Sequence, residues 1–107
     1  MRRMAYTIVF RIRKCYFDEI VAGKKTREVR TLKPFWTVRA ETAIADLAIH
    51  RSVVATFLCG PDKHRREVLA VKCYPTAEEA LGGPLTPTGR EMFGDTPVWG
   101  FDLGKVV

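Results

Sequence analysis

The densest run of chemistry-bearing side chains in the sequence is Gly23-Lys24-Lys25-Thr26-Arg27-Glu28-Val29-Arg30. In an extended segment successive side chains alternate between faces, which sets Thr26, Glu28 and Arg30 on one side and Arg27 and Val29 on the other. Glu28 and Arg30, two residues apart, can then orient one another, and a lysine at the preceding turn adds a mobile cation. Such a set offers a point charge for phosphate, a planar donor fork and a carboxylate able to accept from a base amine. The same residues would also serve as an exposed strand held by a Glu–Arg pair, an arrangement usually worth under about 1 kcal/mol.

The elements that would carry this segment are legible from periodicity. Tyr6, Ile8, Phe10 and Ile12 alternate with Arg11 and Arg13, the pattern of a half-buried strand. From Lys14 the period turns helical, with Phe17, Ile20 and Val21 on one stripe and Gly23 as the stop, so that Lys24 and Lys25 follow at the negative end of the helix dipole. A second strand is expected over Thr26–Thr31, then a turn through Lys33 and Pro34 leading to Phe35 and Trp36. A helix over 37–49 would bury Ile44, Leu47 and Ala48. Val53–Cys59 reads as a strand covered on both sides. A charged loop from Gly60 to Arg66 and a strand from Glu67 to Tyr74 would complete a hairpin. Thr76 is placed to cap a short helix ending at Leu81. The Gly- and Pro-rich stretch Gly82–Gly89 reads as loop and Glu91–Phe93 as a single helical turn. The last strand is Val98–Leu103, with Trp99, Phe101 and Leu103 on one face. Five or six strands with two or three short helices predict one small α+β domain over residues 1–107, built as a partly closed barrel.

Composition narrows the function. The 107 residues are 47% hydrophobic, enough for a core, and no apolar run approaches the roughly 18 residues a membrane helix needs. The stretch after Met1–Met4 is broken by Arg11, Arg13 and Lys14, which does not suit a signal peptide. Cys15, Cys59 and Cys73 form an odd set with no CxxC pair, so a reducing, cytoplasmic setting is expected, with Cys59 and Cys73 as small core residues. Cys59, His64 and Cys73 match no zinc spacing, and neither a metal nor a cofactor is expected. The formal net charge is +6, and residues 1–50 hold 11 Lys/Arg against 5 Asp/Glu while 51–107 hold 7 of each. The whole excess therefore falls in the first half, as expected where one face meets a polyanion. Ser52 is the sole serine and lies in no nucleophile elbow, and His50 and His64 fit no triad spacing. Without a G-x-x-x-x-G-K-[ST] or G-x-G-x-x-G segment, nucleotide hydrolysis and dinucleotide binding have no support. The loop Asp62-Lys63-His64-Arg65-Arg66 reads as a solvated hairpin tip.

The segment Phe17–Arg30, an apolar helix followed by Gly23-Lys24-Lys25-Thr26-Arg27-Glu28-Val29-Arg30, resembles the ASCH signature, G-x-K-T-x-E-x-R. Pro34, Phe35, Trp36 and Arg39 are similar to an aromatic-plus-arginine stretch that follows the motif in some members, and Phe101–Val107 resembles the closing strand with its Leu-Gly pair. The resemblance implies a PUA-like fold, a small β-barrel with a cleft beside the helix–strand turn suited to RNA or modified nucleosides. Carried over residue by residue, Lys24, Lys25, Thr26, Glu28 and Arg30 would line that cleft. Tyr16 and Trp36 would be available for base stacking, and Arg39, Lys33, Arg11 and Arg13 for backbone charge. One bacterial branch of the family hydrolyses N4-acetylcytidine. Lys25 matches its lysine, but Glu28 occupies the position of its threonine, and Glu78 or Glu79 would have to stand in for its later acid. Other members are ribonucleases, for which Lys25 and Glu28 would act as proton-transfer or electrostatic groups.

Three functions follow as expectations. The first is an RNA or modified-nucleoside recognition module contacting its ligand through Lys25, Thr26, Glu28 and Arg30. The second is a small hydrolase of RNA or N4-acylated cytidine with Lys25 and Glu28 as catalytic groups. The third is a protein–protein adaptor using Phe35, Trp36 and the Gly82–Gly89 loop. None of them calls for a membrane.

Overall fold

The computed structural model describes residues 5–107; the Met1–Met4 segment weighed above for export lies outside the described residues. Five strands and four helices follow one another as β1 (Tyr6–Arg11), α1 (Lys14–Val21), β2 (Arg27–Thr31), α2 (Pro34–Ala48), β3 (Val53–Cys59), β4 (Asp62–Tyr74), α3 (Ala77–Leu81), α4 (Pro87–Phe93) and β5 (Val98–Val106). The strands form one sheet in the order β1-β3-β4-β5-β2, curled into a half-barrel, so the fold is α+β. β1 runs parallel to β3 and the other pairings are antiparallel, with β1 and β2 as the two edges.

The concave side holds the main core. Ile8 and Phe10 of β1, Ala55 and Phe57 of β3 and Phe101 of β5 meet Phe17 and Ile20 of α1 and Ala40 and Ala43 of α2. Phe10, Phe57 and Phe101 are fully buried, and Phe10 contacts both other rings, stacked at 5.3 Å on Phe57 and edge-on at 5.2 Å to Phe101. Each such side chain contributes roughly 1.5–3 kcal/mol by leaving water. A smaller cluster on the other face of β2 and β5 joins Val29 and Val98 to Ala77 and Ala80 of α3, with Tyr74, Leu85 and Phe93 packed against it. Because Val29 packs there, its neighbours Glu28 and Arg30 are turned to the concave side, as the strand alternation predicts.

Several element boundaries differ from the sequence expectation. α2 begins at Pro34, not 37, because Lys33 is extended and Pro34 sits at the helix start, where its missing N–H and fixed φ are favourable. Its buried residues are Ala40 and Ala43, whereas Ile44 and Ala48 are exposed. The supposed charged loop is strand: only Gly60 and Pro61 separate the β3–β4 pair Cys59 and Asp62, with Gly60 at φ +58°. α4 starts at Pro87, with the Thr86 hydroxyl accepting from Gly89 N at 3.1 Å, so part of the expected Gly/Pro loop is a capped helix. The Thr76 cap of α3 is present, its side chain accepting from Glu79 N. Cys73 is exposed, not core, although it shares a face of β4 with buried Val71, while Cys59 packs partly against the main cluster.

Candidate functional site

The two edge strands of the half-barrel approach one another across its seam, and the seam is open at one end as a cleft of about 560 Å³. The turn after α1 supplies the cleft's first cations. Gly23 takes φ +75°, and the Glu19 carbonyl accepts from both Lys24 N at 2.9 Å and Lys25 N at 3.1 Å, which ends the helix and fixes the backbone of both lysines. The end of α1 is held in turn by Arg66 of β4, whose Nη2 donates to Ile20 O at 2.9 Å and whose Nη1 donates to Gly104 O at 3.1 Å. Arg66 Nε donates to His64 Nε2 at 3.0 Å. Burial first, and then the Arg66 charge, pushes His64 below its ordinary pKa of 6.5.

Glu28 is the pivot of the cleft floor. Only 2% exposed, it accepts from Lys25 Nζ at 2.7 Å on Oε1 and from Arg30 Nη2 at 2.8 Å on Oε2. A carboxylate withdrawn this far from water would be costly alone, and the two charged donors offset that cost. Lys25 also lies 5.0 Å from the Tyr16 ring centroid. The Arg30 guanidinium carbon is 5.2 Å from the Phe10 ring centroid and 4.8 Å from that of Trp36, and these two rings stack on each other at 5.2 Å with 5° between their planes. Arg30 Nη2 further reaches the Arg11 carbonyl of β1 at 3.5 Å, which spans the seam. Arg30 Nε is buried without a hydrogen-bond partner among the described residues.

Two parts of the cleft lining differ in character. One part carries Arg11, Arg13, Lys24, Lys25, Arg27 and Arg30; the part from α3 to α4 is apolar, with Leu81, Pro84, Leu85, Met92 and Phe93. The acids lining the cleft are Glu19 and Glu28. The cleft therefore suits a ligand with an anionic end and an apolar or planar body. The apolar wall escaped sequence reading because its residues lie in the stretch read as loop; the Thr86-Pro87 pair, a cap followed by a helix-starting proline, was the available signal.

Of the residues expected at a site, Tyr16, Lys24, Lys25, Thr26, Glu28 and Arg30 are brought together around the cleft, with Arg11 and Arg13. Trp36 and Arg39 are not among the lining residues. Trp36 is engaged with Phe10 and Arg30, and Arg39 folds over Phe35, its guanidinium 3.5 Å from that ring and its Nη1 donating to Phe35 O. Lys33 and the paired Glu78 and Glu79 lie outside the lining as well; Glu78 is 4.0 Å from Arg90. Among the described residues no three His, Cys, Asp or Glu side chains gather as a metal-holding group. No protein-family model and no curated protein matches the chain. No helix among the described residues is long and apolar enough to cross a membrane.

Proposed function

We propose that the cleft receives the phosphate and base of a nucleotide-like ligand, RNA or a modified nucleoside, and that the chain is a small ASCH domain of the PUA-like class acting in the cytoplasm. The observation that carries this reading is the Lys25–Glu28–Arg30 triad. The buried carboxylate holds two cations together at the cleft floor, and the stretch from α3 to α4 adds apolar side chains to the same lining. In this reading Glu28 is a positioning residue, since its exposure leaves little room for ligand contact. Lys25, Lys24, Thr26, Arg30 and Arg11 meet the anion, and Tyr16 with the α3–α4 wall meets the base.

Titration with uridine monophosphate and short single-stranded RNAs, followed by amide shifts in NMR, tests it. Shifts centred on Lys25–Arg30 and on α4, and an affinity that falls steeply with salt, are expected. Shifts confined elsewhere, or an affinity indifferent to salt, would remove the reading. The 2.7 Å Lys25–Glu28 contact also keeps the hydrolase alternative in view, because a proton-transfer couple needs such proximity. Product from N4-acetylcytidine or RNA that disappears in Lys25→Ala would promote catalysis over recognition.

A further inference from the structure

The charged run Asp62-Lys63-His64-Arg65-Arg66 is the first stretch of β4, and its side chains divide between the two faces of the sheet. His64 and Arg66 point to the concave side, where His64 meets Phe17 edge-on and Arg66 reaches the end of α1. Lys63 and Arg65 consequently stand on the convex side, away from both core helices. Pairing register arranges their neighbours: Arg11, Leu58 and Lys63 form one row across β1, β3 and β4, and Val9, Thr56 and Arg65 form the next. Two strand spacings put the Arg11 and Lys63 backbones about 10 Å apart. Arg11, Lys63 and Arg65 are all exposed, and none takes part in an ion pair among the described residues.

This face is continuous with the cleft, because Arg11 belongs to both. It carries no aromatic ring in those two rows, only Val9, Leu58 and Thr56 between the cations, so it offers charge without a stacking platform. Glu67, in the row beyond with Thr7 and Val54, bounds it. We infer that a single RNA strand engaged in the cleft continues over edge strand β1 onto the convex face, where Arg11, Lys63 and Arg65 hold its phosphates without reading its bases. This inference rests on the nucleotide reading of the cleft, and it adds to that reading a second, sequence-independent surface that lengthens the footprint.

The test compares uridine monophosphate with an oligouridylate of about twelve nucleotides, a length within the range that single-strand grooves cover. The parent protein and a Lys63→Gln/Arg65→Gln variant are titrated with each across a salt series. The variant should bind the oligomer about tenfold more weakly at low salt, with the slope of log affinity against log salt reduced by about 1.4, because each single-strand phosphate contact contributes about 0.7. Its affinity for uridine monophosphate should be unchanged. An oligomer affinity and slope equal to the parent's would overturn the inference, as would an equal loss with the mononucleotide. A Lys25→Gln/Arg30→Gln variant separates the two readings. If it binds uridine monophosphate as the parent does while the convex-face variant still weakens the oligomer, the cleft reading fails and the convex surface stands. Lys63 and Arg65 are exposed whereas Lys25 and Arg30 are half-buried, so a thermal melt matching the parent's verifies that each variant is folded.

Discussion

Strand β2 has an arginine–carboxylate pair on each face, and the two pairs are completed differently. On one face Arg27 Nε donates to Asp102 of β5, Nη1 donates to the Ala80 carbonyl of α3, and the guanidinium lies 4.9 Å from the Tyr74 ring. Its donors are engaged by β5 and α3 and its guanidinium by the Tyr74 ring of β4, so Arg27 ties β2 to these elements. On the concave face Arg30 shares Glu28 with Lys25, leans on Phe10 and Trp36, and keeps a buried Nε without a partner. Two arginines three residues apart therefore have separate roles. Both line the cleft, but Arg27 closes a structural joint, whereas Arg30 shares one carboxylate with Lys25 and keeps a buried Nε unpartnered. Under the proposed function, an arginine–carboxylate pair is drawn into binding where its surroundings leave it incomplete.

The comparison breaks most sharply at Glu28. Glu28→Ala would leave Lys25 and Arg30 facing each other at the cleft floor with no counter-charge, a loss of about 3 kcal/mol. The lower end of the usual range applies because both cations keep about a fifth of their side-chain surface in water, 19% and 20%. Urea unfolding of the variant measures it, and a change below about 0.5 kcal/mol would mean the triad is not a stability element.

Gly100 sharpens the other side. A Cβ there would lie 2.6 Å from Tyr74 Cε2 and 3.2 Å from Arg27 Cδ, so Gly100→Ala has to displace the ring that supports Arg27. Overpacking of this kind costs about 2 kcal/mol. Thermal unfolding should register that loss while nucleotide affinity stays within about twofold of the parent, because the Arg27 donors are engaged by Asp102 and Ala80 and not by the ligand.

The smallest effect is a pH dependence that enters through the support of α1. The folded pKa of His64 is lowered, so on acidification the unfolded chain takes up this proton before the folded one does. Its contribution to stability is complete above pH 6.5 and is lost as pH falls below 6.5 through the lowered folded value. A His64→Gln variant should show a flatter stability profile across that window in denaturation measured at successive pH values. An unchanged profile would remove His64 from the account.

Sequence periodicity placed Glu28 and Arg30 on their strand face better than it placed the elements around them. The facing of Glu28 and Arg30 follows from strand alternation alone, and Gly23 marks the turn that delivers Lys24 and Lys25. β4 was harder to see, because Lys63, Arg65 and Arg66 have the composition of a loop. Cross-strand pairing on both sides, with β3 and β5, overrides that local preference. Pro34 and Pro87 read as breakers although each starts a helix, which hid the beginning of α2 and most of α4. Trp36 and Arg39 are expected at the ligand only through the family resemblance. Their occupation by Phe10, Arg30 and Phe35 is a tertiary outcome that spacing along the chain does not encode.

The most direct test of the central claim sets the two arginines against each other in one assay. Uridine monophosphate is titrated into Arg30→Gln and Arg27→Gln, with unfolding free energies recorded for both. Arg30→Gln should lose about tenfold or more in affinity, the worth of a charge-assisted contact. Arg27→Gln should lose about 1 kcal/mol of stability and retain its affinity. Equal losses of affinity in both variants, or a loss only in Arg27→Gln, would contradict the division of roles between the two faces of β2.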